Sequence, residues 1–521
     1  MTSIGMWSEE RSRKIIKRIV VEGDLVLQTP AHFGNGDGDD LCDMPLLLDP
    51  LEEAQGKITP LLTGASIAGA LRSYLRQREK GFQAPLPHSN DKDAAKQERE
   101  TYAATLFGAF KGDDDGEQSP LIVDDALGKP ETVGVEARDG VAINPKSRTA
   151  QQNRLFDLQL WQAGTTFPLR FELLIREGDS EAKLKQALAT ALSGFNDPEL
   201  PVTLGARKRR GYGRVKVDQW RVTTFDLASK GGLVAWIAVG RERELGLRAS
   251  KPACGSNLAS LLRVNPIEDA RHLFTLSATF SLDGSLLIRS GSGQDDKGPD
   301  AVHLHARQPD GATKPIVSGT SLAGALRARS LRIANTLDPS AHKTRAEEVV
   351  DAMFGADMDK LQERRRSGDA KAQPFASRVE VNETVVNTVK TDLVQNRVSI
   401  DRFTGGARDT ALFNEQPIFG GTDSDLVVEL KLLNPACREI GLVLLLLKDL
   451  WTGDLPLGGE SSVGRGRFKG KSADLIYKAN GTVKIWKITG NDTRLHFEKD
   501  DIALLEGYVR ELNNHLKGAV Q

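Results

Sequence analysis

Leu61-Leu62-Thr63-Gly64-Ala65-Ser66-Ile67-Ala68-Gly69-Ala70-Leu71-Arg72 and Ile316-Val317-Ser318-Gly319-Thr320-Ser321-Leu322-Ala323-Gly324-Ala325-Leu326-Arg327 are nearly one stretch written twice. Each reads as a strand end, a tight turn and the start of a helix. The first Gly permits the turn without a Cβ clash. Ser66 and Ser321 stand where an N-cap side chain accepts a backbone N–H. Gly69 and Gly324 let another backbone approach the first helical turn, and Arg72 and Arg327 follow one turn later. Free N–H groups, a small residue and an Arg together suit an anion such as a phosphate.

The two copies belong to a longer repeat, which governs the whole architecture. Gly64 and Gly319 are 255 residues apart. Leu106-Phe107-Gly108 answers Met353-Phe354-Gly355, and Gly140–Asn144 answers Arg397–Asp401. The Gly-rich run Leu204–Arg214 answers Leu457–Arg467. Four landmarks in one order make a tandem duplication.

Each half carries the same plan. In the first, Ile15–Leu27 alternates as a strand, a helix runs from Ser66 to Lys80, and Phe167–Ile175 reads as a strand. A helix over Ser180–Ser193 and a strand over Arg214–Val222 close it. The matching elements are Leu273–Leu282, Ser321–Ala334, Leu426–Leu433, Glu439–Leu450 and Arg467–Ile476. This order predicts an α+β fold of two tandem modified ferredoxin-like (RRM-like) domains, antiparallel sheets with both helices on one face and large loop insertions. The first domain spans 1–226 and the second 268–521, ending in a helix over Lys499–Leu516. Residues 227–267 read as a linker or an accessory segment between the two, with Leu233–Val239 as a further strand. The insertions Ala84–Glu100, Lys111–Gln118, Asp283–Asp300 and Lys360–Ser377 read as polar loops.

Composition narrows the class. A 521-residue chain with 39% hydrophobic and 27% charged residues is globular and exceeds one core. Its net charge of −1 places any polyanion site locally. Three scattered cysteines, Cys42, Cys254 and Cys437, make neither a disulfide framework nor a zinc pattern. That fits a reducing compartment, and the expectation is a cytoplasmic protein. The longest apolar runs are too short to cross a membrane, and no membrane partner is expected.

Three regions carry candidate chemistry. Ala31–Pro50 places Asp37, Asp39, Asp40, Asp43 and Asp49 on a Gly-rich loop beside the helix motif, with His32 at its start. Such carboxylates are hard ligands for a divalent ion, Mg²⁺ or Mn²⁺, though an exposed acidic loop reads the same way. The Gly-rich loops are the second region. Arg207, Lys208, Arg209, Arg210 and Arg214 with Tyr212, and in the second half Arg465 and Arg467, combine charge, backbone N–H groups and a ring as single-stranded nucleic acid requires. A solvated basic turn is the plain alternative. The third region is Arg138–Arg154 and Asn396–Arg408, two basic, turn-rich stretches whose Arg148 and Arg402 could reach a nucleic-acid backbone, though ordinary hairpin charges read the same way. Gly64–Gly69 misses the nucleophile-elbow spacing, and no Walker lysine follows either Gly-rich loop. His303-x-His305 lacks a third ligand nearby.

Together the Gly-[Ala/Thr]-Ser-[Ile/Leu]-Ala-Gly-Ala-Leu-Arg turn, the Phe-Gly landmark and the terminal Gly-rich loop resemble the RAMP superfamily of CRISPR proteins. The His-x-Gly…Asp-x-Pro-Leu…Asp-Pro run resembles the backbone subunits of type III effector complexes. The likeness covers roughly residues 14–223 and 268–480, a tandem fusion of two such subunits. It implies guide RNA, complementary target RNA and other type III effector subunits as partners. It also implies a protruding hairpin that kinks the guide, and metal-dependent cleavage of target RNA near each kink. The family's catalytic aspartate maps onto Asp43. Its counterpart in the second half is Asp300, where the following proline and the preceding His-x-Gly are absent. The resemblance implies that Asp43 and Asp300 hold the metal or orient the 2′-OH, and gives His32 a part in proton transfer. The alternatives are a guide-binding scaffold that does not cut, a nuclease that matures the guide precursor, and a tandem RRM protein outside CRISPR; the last lacks the RNP-type aromatic cluster.

Overall fold

The computed structural model describes residues 14–36, 43–87, 91–110, 113, 116–144, 147–238, 252–290, 298–340, 343–369, 373–491, 494–496 and 499–518. Cys42 and the aspartates at 37, 39 and 40 lie outside the described residues.

Two antiparallel sheets form the frame. In the first repeat the spatial order is Leu121–Val123, Thr166–Arg176, Ile15–Leu27, Val215–Asp226 and Ala253–Gly255. In the second it is Val379–Val381, Leu426–Leu433, Leu273–Leu286, Arg467–Ala479 and Thr482–Asn491, with Arg494–His496 beyond. The four strands common to both take the ferredoxin-like order. Register repeats too, since Ile19 faces Leu173 and Leu276 faces Leu430, both 257 positions later. Alternation puts Ile19, Val21 and Leu25 of one central strand, and Leu276, Ala278 and Phe280 of the other, into two separate buried cores.

Helices cover one face of each sheet. The lead helices, Gly64–Lys80 and Gly319–Leu337, are capped one turn earlier than the sequence suggests. Thr63 Oγ1 accepts from Ser66 N, and Ser318 Oγ accepts from Ser321 N, both at 3.3 Å. The caps are therefore Thr63 and Ser318. Ser66 and Ser321 are third-position residues, because the helix already begins at the glycine. The rear helices, Glu181–Ser193 and Cys437–Trp451, fall where their apolar periodicity predicts.

Other expectations are corrected. Leu233–Val239 is not a strand: Lys230–Ala238 is a helix, whose Trp236 meets Phe225 edge-on and lies under Arg18 at 4.4 Å. The connection is no free linker in its described parts. Ala253–Gly255 extends the first sheet, and Leu258, Leu262 and Ile267 enter the first core. Two insertions contain helices, Lys92–Arg99 and Met358–Arg366. The basic stretches before the third strand are two hairpins outside the main sheets, Val135–Ile143 with Ala150–Trp161 and Gln395–Ile400 with Ala407–Gln416. The terminal helix, Lys499–Lys517, packs on Cys437–Trp451.

Candidate nucleic-acid interface

Two exposed aspartates stand beside the two hairpins in the same setting. Asp43 N donates to Asp157 Oδ1 at 3.0 Å, and Asp157 N returns a bond to Asp43 Oδ2 at 3.2 Å. Asp300 N donates to Asn414 Oδ1 at 2.7 Å, and Asn414 N returns one to Asp300 Oδ2 at 2.8 Å. Both partners lie 114 residues after their aspartate. Next to each clasp the chain runs parallel to the hairpin strand, Met44 beside Leu158 and Ala301 beside Glu415. The two aspartates are thus structural equivalents.

His32 does not join Asp43 at the surface. Only 4% of it is exposed, and its Nδ1 lies 2.9 Å from Gln159 O. Its carbonyl accepts from Ala206 N under the Gly-rich loop. In the second repeat Leu287 holds that place, accepting from Gly459 N. A buried ring bonded to backbone supports the loop and is not presented to a substrate.

The Gly-rich loops share a backbone and differ in what they touch. Arg207 and Glu460 both take left-handed conformations, at φ 56° and 58°. The first loop docks on the second repeat. A Cβ at Gly211 would come within 2.5 Å of Glu383 N, and one at Gly319 would strike Arg210 O. Arg209 pairs with Glu380 at 2.7 Å. Tyr212, offered as a stacking ring, is buried with Leu158 and Leu160, and Arg138 lies 5.4 Å over it. Arg207 lies 4.4 Å over Phe156, and Arg214 is half-buried beside the first strand of its repeat. Arg210 keeps a buried Nη1 with no hydrogen-bond partner among the described residues. Burial, with Arg327 and Arg207 nearby, pushes its guanidinium below the ordinary value. Lys208 remains exposed.

In the second loop Arg465 is only 2% exposed and bonds Glu415 and Gln395. It is a core ion-pair partner, which corrects its place among RNA contacts; a carboxylate one strand away draws it inward. Arg467 stays exposed. Arg72 and Arg327 are likewise turned from the helix N-terminus. Arg72 donates to Gly108 O at 3.2 Å, and Arg327 to Gly355 O at 2.7 Å and Asp351. Both staple the lead helix to the Phe-Gly landmark, because a side chain two turns along cannot fold back to the first. Gly69 and Gly324 face open space, with nothing within 4 Å of an added Cβ. Among the described residues, no close approach by the chain's own backbone requires them.

The family model of the RAMP superfamily matches residues 24–216 and matches again over 279–469. The chain belongs to the RAMP superfamily. The two matches coincide with the two sheets, so this is a tandem two-copy RAMP protein. RAMP proteins are CRISPR-associated RNA binders, and RNA and a CRISPR complex are the partners that the family brings. No curated protein matches the chain. Among the described residues, no helix is long and apolar enough to cross a membrane.

On this RAMP pair the hairpins carry exposed apolar groups. Val141, Ile143 and Leu155 are 45%, 54% and 69% exposed, and Phe403, next to the exposed Arg402, is 99% exposed. Arg148, at φ 59°, extends to Ser461 Oγ of the second loop. The sequence reading missed Asp157, Asn414 and the Arg138–Glu383 pair. The first two were within reach, since they share the 257-residue offset of the hairpin landmark. The third joins the repeats and has no local pattern.

Proposed function

We propose that this chain is a backbone subunit of a type III CRISPR effector. It holds guide RNA along both repeats and cuts complementary target RNA beside Asp43 and Asp300. The observation that carries this reading is the pair of exposed aspartates, clasped identically next to protruding hairpins. The apolar hairpin faces would splay a nucleotide out of its stack. Target ribose 2′-OH then attacks the adjacent phosphate in line, the bond to the 5′-oxygen breaks, and a 2′,3′-cyclic phosphate and a 5′-OH result. Asp43 and Asp300 orient the attacking hydroxyl, and catalysis rests on that geometry. Base pairing to the guide supplies sequence recognition while the protein holds backbone.

The donor set suits Mg²⁺ or Mn²⁺, which take carboxylate oxygens and share the rest of their shell with water and phosphate. Among the described residues no group of three or more His, Cys, Asp or Glu could hold a metal ion. Asp43 and Asp300 would therefore hold it with oxygens of the RNA. When bound, the ion would stabilise charge on the phosphorane. Support for RNA binding comes from Arg210, whose buried Nη1 has no hydrogen-bond partner among the described residues, where the repeats meet. Guide-precursor processing is disfavoured by the buried Tyr212. Other effector subunits fit the exposed tip of the second loop. Its Val463 is 62% exposed, and Gly464 has nothing within 4 Å of an added Cβ, whereas Gly211 is packed on the next repeat.

The test is end-labelled target RNA with guide-loaded complex and Mg²⁺, using wild type, Asp43→Ala and Asp300→Ala. Each substitution should erase its own product band, by about 10²–10⁴-fold, and leave guide binding intact. If both variants cut as wild type does, the chain is a scaffold.

A further inference from the structure

We propose that Asp157 and Asn414 are positioning residues: each fixes the backbone and the carboxylate of its aspartate toward the RNA. This rests on the catalytic reading of Asp43 and Asp300. In each clasp one side-chain oxygen accepts from the aspartate N–H, while the partner's own N–H donates to the aspartate carboxylate. Two bonds in opposite directions hold both the main chain and the χ1 and χ2 torsions of the aspartate. The ladder around it cannot do this alone, because a proline lies close by in each repeat, Pro45 or Pro299, and lacks an N–H.

Comparison of the repeats separates position from charge. The aspartate is the same in both, but its partner is Asp in one and Asn in the other. Both partners carry an acceptor oxygen, and only one carries a negative charge. With the same bonds made by either, the clasp needs an acceptor and not a second carboxylate. Asp157 and Asn414 are half-buried on their hairpin strands, whereas Asp43 and Asp300 are exposed. The partner therefore acts through the aspartate, and any movement of the hairpin is passed to it.

The experiment uses Asp157→Ala, Asp157→Asn, Asn414→Ala and Asn414→Asp in the guide-loaded complex, with the other repeat's product band as internal control. Each Ala variant should lower its own band about 10²-fold, the cost of a small misplacement. Asp157→Asn and Asn414→Asp should cut close to wild type. A second readout needs no cleavage: amide hydrogen exchange at Asp43 and Asp300 in the full chain. Protection should persist in the Asn and Asp variants and be lost in the Ala variants. Asp157→Asn as damaging as Asp157→Ala would overturn the proposal in favour of a charge requirement, and so would unchanged exchange in the Ala variants. If wild type does not cut at all, the catalytic reading fails, and exchange alone decides whether the clasp positions these residues.

Discussion

The first repeat borrows an acid from its neighbour where the second supplies its own. At the hairpin of the first repeat, Arg138 is 5% exposed and bonds Glu383 of the second repeat as well as its own Glu136. Burial alone would lower its pKa, but Glu383 and Glu136 outweigh burial and hold the guanidinium above its ordinary value. At the same level of the second repeat, Glu415 is fully buried and bonds Arg465 at 3.0 Å, with Arg397 at 3.3 Å. Burial, with Glu460 beside it, pushes the Glu415 carboxyl up. One backbone thus carries two ways of neutralising a hairpin base. In the first the hairpin base is shared between its own repeat's Glu136 and an acid of the other repeat, and in the second the ion pairs stay within one repeat.

The largest effect should come from breaking the self-contained version. Arg465→Ala removes the nearest cation of the buried Glu415 and leaves Arg397 beside it, so it should cost the second repeat about 3 kcal/mol, the low end for breaking a buried ion pair. Urea unfolding followed by Trp451 and Trp486 fluorescence reads it. Glu383→Ala should instead loosen the docking of one repeat on the other, appearing as faster proteolysis between them at little cost to either core. Equal losses in both cores from Glu383→Ala would mean that the repeats fold as one unit and that the contrast does not hold.

A histidine gives the second contrast. His303 accepts from Ile288 N at Nδ1 and lies 3.0 Å from Ile316 O at Nε2, so the neutral ring uses both nitrogens. Burial, with His305 nearby, lowers its pKa to about 4. The unfolded chain binds that proton near pH 6.5 and the folded chain does not. Stability is therefore whole above pH 6.5 and falls as pH drops towards 4, by about 3 kcal/mol in all. Glu415, with its raised pKa, works in the opposite sense. His303→Gln keeps an acceptor and a donor without titrating, so the difference between variant and wild type isolates the histidine. The fall in urea midpoint from pH 7 to pH 4.5 should be smaller in the variant than in wild type. Leu46 occupies the corresponding place in the first repeat, which should show no such limb.

These contrasts mark where sequence reading works. Strands and helices were legible because β-branched alternation and apolar periodicity are local, and duplication let each half check the other. Cap placement slipped by one turn because Thr63 and Ser66, like Ser318 and Ser321, are all competent caps, and only the backbone chooses among them. Arg72, Arg465 and Tyr212 looked available to RNA because charge and aromaticity are visible in sequence, whereas their partners at Gly108, Glu415 and Leu158 are not. A basic residue is a ligand for RNA only if no nearer acceptor claims it.

The glycines of the opening motif give the smallest and sharpest test. Gly64 and Gly319 are packed, since a Cβ would strike Val123 O in one and Arg210 O in the other. Gly69 and Gly324 lie one turn later on the same helices, exposed and with open space before them. On helix propensity alone, Gly69→Ala and Gly324→Ala should stabilise their helices by about 0.5–1 kcal/mol. A site kept as glycine against that gain points to contact with something outside the chain. Thermal melts should therefore rise slightly in both Ala variants while guide RNA binding weakens, and Gly69→Glu or Gly324→Glu should weaken it further without unfolding either domain. If the Ala variants melt higher and bind RNA unchanged, RNA does not approach these turns, and the hairpins and the Arg210 cluster must hold the guide without them.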